Sequence, residues 1–141
     1  MSHDLGPHGC FEYNDNPPYG YSVADGIMPQ QTLVSPLPTE KQARKDTSVT
    51  TGVLDYFPAA IAEIARVSKA GNNQHNPGQP LHWAREKSGD HADCITRHLM
   101  ERGTLDDDGQ RHSAKMAWRA LALLQVELEA ETGAPPPRAA Y

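Results

Sequence analysis

Cysteine is scarce in this chain: Cys10 and Cys94 are the only two among 141 residues. One falls in a segment rich in proline and glycine and the other inside an expected helix, so neither a disulfide framework nor a zinc quartet is suggested. A reducing cytosol is the expected setting. Aromatic residues make up 6% of the chain and apolar residues 38%, a low share for one domain that must close its own core. A small core invites oligomerisation. Long hydrophobic runs are missing, with no apolar leader near Met1 and no stretch of about 18 apolar residues, which argues against secretion and membrane spanning. The expectation is a soluble, cytoplasmic protein. Positive charge does not dominate either: the net charge is -5, and a nucleic-acid duplex would demand a basic face. Any contact with phosphate must therefore be local.

Residues 1–50 hold six of the twelve prolines, with Gly6, Gly9, Gly20 and Gly26 among them and little apolar periodicity. They read as an extended or partly disordered amino-terminal arm, and Tyr13, Tyr19 and Tyr21 beside Pro17 and Pro18 would let it lie along another subunit. The basic residues Lys41, Arg44 and Lys45 read as a solvated linker. Helical spacing starts near Pro58 and carries Ile61, Ile64, Ala65 and Val67, with Gly71 expected to stop it. A polar loop follows from Gly71 to Pro80, dense in turn formers and amides. A second helix is expected from a Ser88 cap through Ala92, Ile95 and Leu99 to Gly103. The third should begin after the turn Asp106-Asp107-Asp108-Gly109 and run through Met116, Ala120, Leu123 and Leu124 to Glu131, before Gly133 and Pro135 to Pro137. The fold class is all-α: an arm over 1–50, a helical domain over 51–132, and a flexible tail over 133–141.

Side chains three, four and seven apart share one face of a helix. Asp90, Asp93 and Arg97 form such a row. Two like charges a turn apart either solvate a helix start, where the dipole favours them, or repel until a divalent cation neutralises them. His112, Lys115 and Arg119 form a second row, read as a solvated stripe or as a phosphate-binding face. Glu63 is the only acid on the first helix, flanked by Ala60, Ala62 and Ile64, and such an isolated acid makes the strongest single candidate for a metal ligand. Carboxylates converging between helices are a usual way to hold magnesium or manganese.

Five segments carry a family resemblance: Glu63-Ile64-Ala65-Arg66-Val67; Gly71 to Trp83; Arg97-His98-Leu99; Asp108-Gly109-Gln110-Arg111-His112; and Ala117-Trp118-Arg119-Ala120-Leu121. Over about residues 50–130 the chain resembles the phage-type dATP/dGTP diphosphohydrolases, which look like members of the MazG-like, all-α nucleoside triphosphate pyrophosphohydrolase superfamily. There, acids on one helix and a Glu-x-x-Asp on the next hold magnesium ions. The match here is Glu63 followed by Asp90-x-x-Asp93. Two departures stand out: Ala59 and Ala60 occupy the place of a partner acid, and Asp90 replaces the longer glutamate. Closer helix packing, a water, or one of Asp106, Asp107 and Asp108 would make up the difference.

The resemblance implies hydrolysis of a purine deoxynucleoside triphosphate, dGTP or dATP, to the monophosphate and pyrophosphate, with two or more magnesium or manganese ions. It casts Glu63, Asp90 and Asp93 as metal ligands and catalytic acids. Lys69, Lys115, Arg119, His112, Arg97 and His98 are cast as phosphate contacts, with His98 and His112 as second-choice acids or ligands besides. Asn72, Asn73, His75, Asn76 and Trp83 would read the base or sugar, the same amides serving otherwise to satisfy their own turn. It further implies a homodimer or homotetramer that completes the helical bundle, and the cytoplasm of a host if the chain is phage-encoded. The competing readings are a non-catalytic helical adaptor for nucleotide or protein, and an HD-type phosphohydrolase. The latter is disfavoured by the reversed order Asp90-His91.

Overall fold

In a computed structural model the protein is described over residues 35–134, 136–137 and 139–140, and those residues form an all-α unit. Most of the expected amino-terminal arm, with Cys10 and the three early tyrosines, lies outside the described residues. The remainder of that arm is partly helical: α1 spans Lys41–Asp46, and the Glu40 carboxylate caps it by accepting from the N–H groups of Gln42 and Ala43 at 2.9 and 2.7 Å. A π-helical turn, Thr50–Leu54, leads into α2, Pro58–His75. Pro58 opens α2 because its missing N–H is one that a helix start leaves unpaired anyway.

Helix α2 does not end at Gly71. It continues one turn further, through half of what the sequence suggested was a loop. The reason is tertiary: the Asn72 side chain, 3% exposed, donates to the Gln79 carbonyl at 3.0 Å and accepts from the His82 N–H at 3.3 Å. That bond pair repays the modest cost of glycine in a helix interior. A 3-10 turn at Arg85–Lys87 precedes α3, His91–Met100, whose first flanking residue is Asp90 rather than the expected Ser88. Ser88 is used elsewhere, its Oγ accepting from Arg119 Nη1 at 2.7 Å.

The longest helix, α4, spans His112–Thr132 and ends where Gly133 takes a φ of 65° in the left-handed region. It packs against both α2 and α3. Trp118 Nε1 donates to Ser68 Oγ at 2.7 Å, joining α4 to α2, and the Trp118 and Trp83 rings meet edge to face at 5.8 Å. Arg85 closes an ion pair with Glu129 at 2.7 Å, with both side chains largely shielded. Where the sequence suggested a flexible tail, the Ala139 carbonyl accepts from the Trp83 N–H at 2.6 Å and Ala140 is buried. No strand occurs among the described residues beyond an isolated bridge between Leu105 and Arg111.

Candidate metal centre

The bridge between Leu105 and Arg111 closes a tight turn that carries three consecutive carboxylates. Asp106 N–H donates to the Gln110 carbonyl at 2.8 Å, Gly109 N–H donates back to the Asp106 carbonyl at 2.8 Å, and the Asp108 carboxylate accepts from the Gln110 N–H at 3.0 Å. Gly109 sits at φ 77°, which a side chain would strain. The turn delivers Asp106 to the start of α4, where His112 is the first helical residue, 6% exposed, and its N–H donates to the Thr104 carbonyl at 3.3 Å.

His98, half-buried in the last turn of α3, completes the arrangement. Its Nδ1 lies 2.9 Å from Nδ1 of His112, and one donor atom from each of His98, Asp106 and His112 falls within 4.8 Å of the others. This is the one such group of three or more histidine, cysteine or acidic side chains among the described residues. The donor set, two imidazoles and a carboxylate from two helices and the turn between them, fits a divalent cation. Glu101 approaches from the outer side, 3.4 Å from His112 Nδ1.

Lys115, one turn into α4, grips the same carboxylates, with Nζ 2.6 Å from Asp106 and 2.7 Å from Asp108. Hydrogen bonding to Lys115 lowers the Asp106 pKa below the usual carboxylate range. For Asp108, burial acts upward, but the bonds from Lys115 and Gln110 prevail and the pKa falls. Lys115 itself is raised: burial opposes its charge, yet its two aspartate partners outweigh that. Burial, followed by the neighbouring His112 and Lys115, holds His98 below the ordinary histidine value, so the ring favours the neutral form that a metal ligand requires. Beside this cluster opens a groove of about 350 Å³, lined by Ala70 and Gln74 of α2, by Asp106, Asp107 and Asp108, and by Lys115.

The sequence-derived site residues divide sharply. His98, His112 and Lys115 come together, and Asp106 and Asp108, raised from the sequence only as supplements, lie at the heart of the cluster. Glu63, Asp90 and Asp93 do not form a donor group. Glu63 pairs with Arg66 on its own helix, Asp90 accepts from Arg97 at 2.9 Å and from the Cys94 thiol at 3.4 Å, and Asp93 is exposed in the first turn of α3. Arg97 is thereby occupied with Asp90 and with Cys94 Sγ. Arg119 turns inward, donating to Ser88 and lying 3.3 Å from His91 Nδ1, while Lys69 is exposed.

The expected base-reading set is also reassigned in part. Asn72 spends both ends of its amide within the fold. Asn76 continues the same turn through backbone bonds, and Trp83 has Arg85 stacked at 4.7 Å over its ring. Asn73 and His75 are exposed near the groove end of α2. The signal that could have found the centre was present: an Asp-rich glycine turn placed immediately before a histidine that starts a helix.

Residues 38–134 match a family model described as dATP/dGTP diphosphohydrolase, N-terminal. No curated protein and no solved structure matches the chain.

Proposed function

The chain belongs to the dATP/dGTP diphosphohydrolase family, and on that premise we propose that it hydrolyses a purine deoxynucleoside triphosphate to the monophosphate and pyrophosphate with a divalent cation. The observation that carries the reading is the convergence of His98, Asp106 and His112, with Lys115 beside them, at the edge of an open groove. The three side chains would hold the cation. When bound, such an ion neutralises charge that develops on transferring phosphate and acidifies a water.

The rest of the chemistry belongs to the chain's own groups. Lys115 has two aspartate partners, so it can release one to meet a phosphate oxygen and keep the other as an anchor. Asp108 lines the groove beside Lys115, and its carboxylate can accept a proton from an attacking water. Asn73, Gln74 and His75, exposed on the last turns of α2, provide donors and acceptors for a purine edge. Glu63, Asp90 and Asp93 enter the proposal as carboxylates for magnesium arriving on the nucleotide, since magnesium asks for only one or two protein carboxylates beside substrate phosphates. A homodimer or homotetramer with a MazG-like bundle, acting on the purine deoxynucleotide pool of a phage-infected cell, completes the reading.

The test is to incubate the protein with each canonical triphosphate plus magnesium or manganese and separate the products by ion exchange. Purine monophosphate with pyrophosphate is expected, and Asp106→Asn should lower the rate about 100-fold while helical circular dichroism persists. Release of inorganic phosphate and a diphosphate would overturn the assigned bond, and no turnover of any triphosphate would leave a helical binding protein instead.

A further inference from the structure

The donor chemistry of the cluster says which cation it takes. We propose that His98, Asp106 and His112 form a centre selective for a borderline transition ion, of the iron, cobalt or zinc class, over magnesium. The inference rests on the centre proposed above and deepens it.

Three observations support it. First, geometry: two nitrogens each about 2.1 Å from a common ion lie about 3.0 Å apart at an octahedral right angle and about 3.4 Å apart at a tetrahedral one. The Nδ1 atoms of His98 and His112 stand 2.9 Å apart in a ring-to-ring hydrogen bond, so the two rings already approach as closely as a shared ion would draw them. Each ring is positioned from a different element, His98 by the end of α3 and His112 by the start of α4, and helix packing fixes that spacing.

Second, donor type. Imidazole suits zinc, iron, copper and nickel, whereas magnesium requires oxygen ligands in near-ideal octahedral geometry and dehydrates reluctantly. A centre with two nitrogens and one carboxylate offers magnesium a single good donor. Third, charge. Lys115 lies 2.6 Å from that same carboxylate and offsets much of its negative potential, which penalises an ion held by electrostatics alone. An ion that gains covalent character from nitrogen ligands loses less. Asp108, 2.7 Å from Lys115 Nζ, can retain the ammonium when Asp106 turns to the ion, so capture leaves no charge stranded. Two imidazoles and a carboxylate on one side of an ion also leave positions on the groove side for water and phosphate oxygens.

Cobalt is the probe, because its visible absorption reports ligand type without any turnover. The full chain, stripped of metal by chelator, is titrated with cobalt in the absence of nucleotide, then challenged with manganese, zinc or magnesium. The expected result is saturation near one equivalent, displacement by stoichiometric zinc, and no displacement by a thousandfold excess of magnesium. His98→Ala should weaken cobalt binding at least about tenfold. His112→Ala risks the fold because the ring is buried, so Asp106→Asn serves as the second variant, with unchanged circular dichroism and the same loss of affinity. Cobalt bound by the His98→Ala and Asp106→Asn chains as tightly as by the parent, or displaced equally by magnesium, overturns the inference. The two readings fail separately: tight, magnesium-resistant cobalt binding without hydrolysis of any triphosphate upholds the centre and removes the enzyme. Hydrolysis by a chain whose cobalt affinity is unchanged in His98→Ala upholds the enzyme and overturns the centre.

Discussion

At the scale of single residues, spacing along one helix fixes which side chains share a face, not what each of them meets. His112 and Lys115 sit three apart on α4 and meet the cluster, while Arg119, the third member of that row, turns to Ser88. Glu63 and Asp90 each pair with a nearby cation, Arg66 and Arg97, and a carboxylate so paired can either keep its arginine or give it up to a metal. Nothing in a single-helix pattern distinguishes those two fates. The turn that carries Asp106 is written in the sequence, but its approach to His98 depends on helix packing that only the fold displays.

His91 carries a prediction of its own. Burial, then the charge of Arg119, holds its pKa below the ordinary histidine value, with Asp90 pulling upward and Arg85 downward. Its Nδ1 faces an arginine donor at 3.3 Å and must keep its lone pair. The folded chain therefore favours the neutral ring, while the unfolded chain takes up a proton as acidity rises. Stability conferred by neutral His91 is fully present above about pH 6.5 and is lost as pH falls from there toward the folded-state value. Urea midpoints measured at pH 7.5 and pH 5.5 should show the lower value at pH 5.5, and His91→Gln should narrow the gap.

At the scale of elements, the starts and stops were legible wherever a local rule decided them. Pro58 at the head of α2, the Asp-Gly turn before α4, and Gly133 at its end all follow from backbone chemistry that needs no partner. The misses came where a distant contact outvoted a local preference, as at Gly71 and Ser88. The 106–110 turn also makes an element-level prediction. Gly109→Ala forces a side chain into φ 77°, a penalty of about 1–2 kcal/mol, although a Cβ there meets nothing within 4 Å. Thermal unfolding should register a loss of that order. Because the same turn aims Asp106, the variant should also lose affinity for cobalt more than its modest destabilisation explains.

At the scale of the whole molecule, the all-α class was readable from composition and periodicity, but the thinness of the core was only hinted at by the low apolar fraction. Among the described residues the buried apolar side chains are Cys94, Ala114, Ala122 and Ala140, all small, and none is below 2% exposed. Large apolar groups instead face outward. Leu121, Leu124 and Leu128 recur three and four apart along α4 and are 53%, 50% and 43% exposed. A stripe of that kind suits a helix-to-helix interface, and a stable pair would bury on the order of 1,600 Å² in total. Light scattering coupled to size exclusion should therefore report a mass of at least twice the chain, and Leu124→Glu should shift it toward the monomer. A parent chain that elutes as a monomer at micromolar concentration would remove the oligomer from the reading.

His112 opens α4 and, in the same ring, meets His98 across from α3. One buried side chain thus belongs both to the start of α4 and to the contact with α3. Tightening that grip steadies the longest rod in the molecule, and loosening it lets the rod's first turn fray. If the proposed centre binds an ion, its affinity and the docking of α4 would be thermodynamically linked through residue 112.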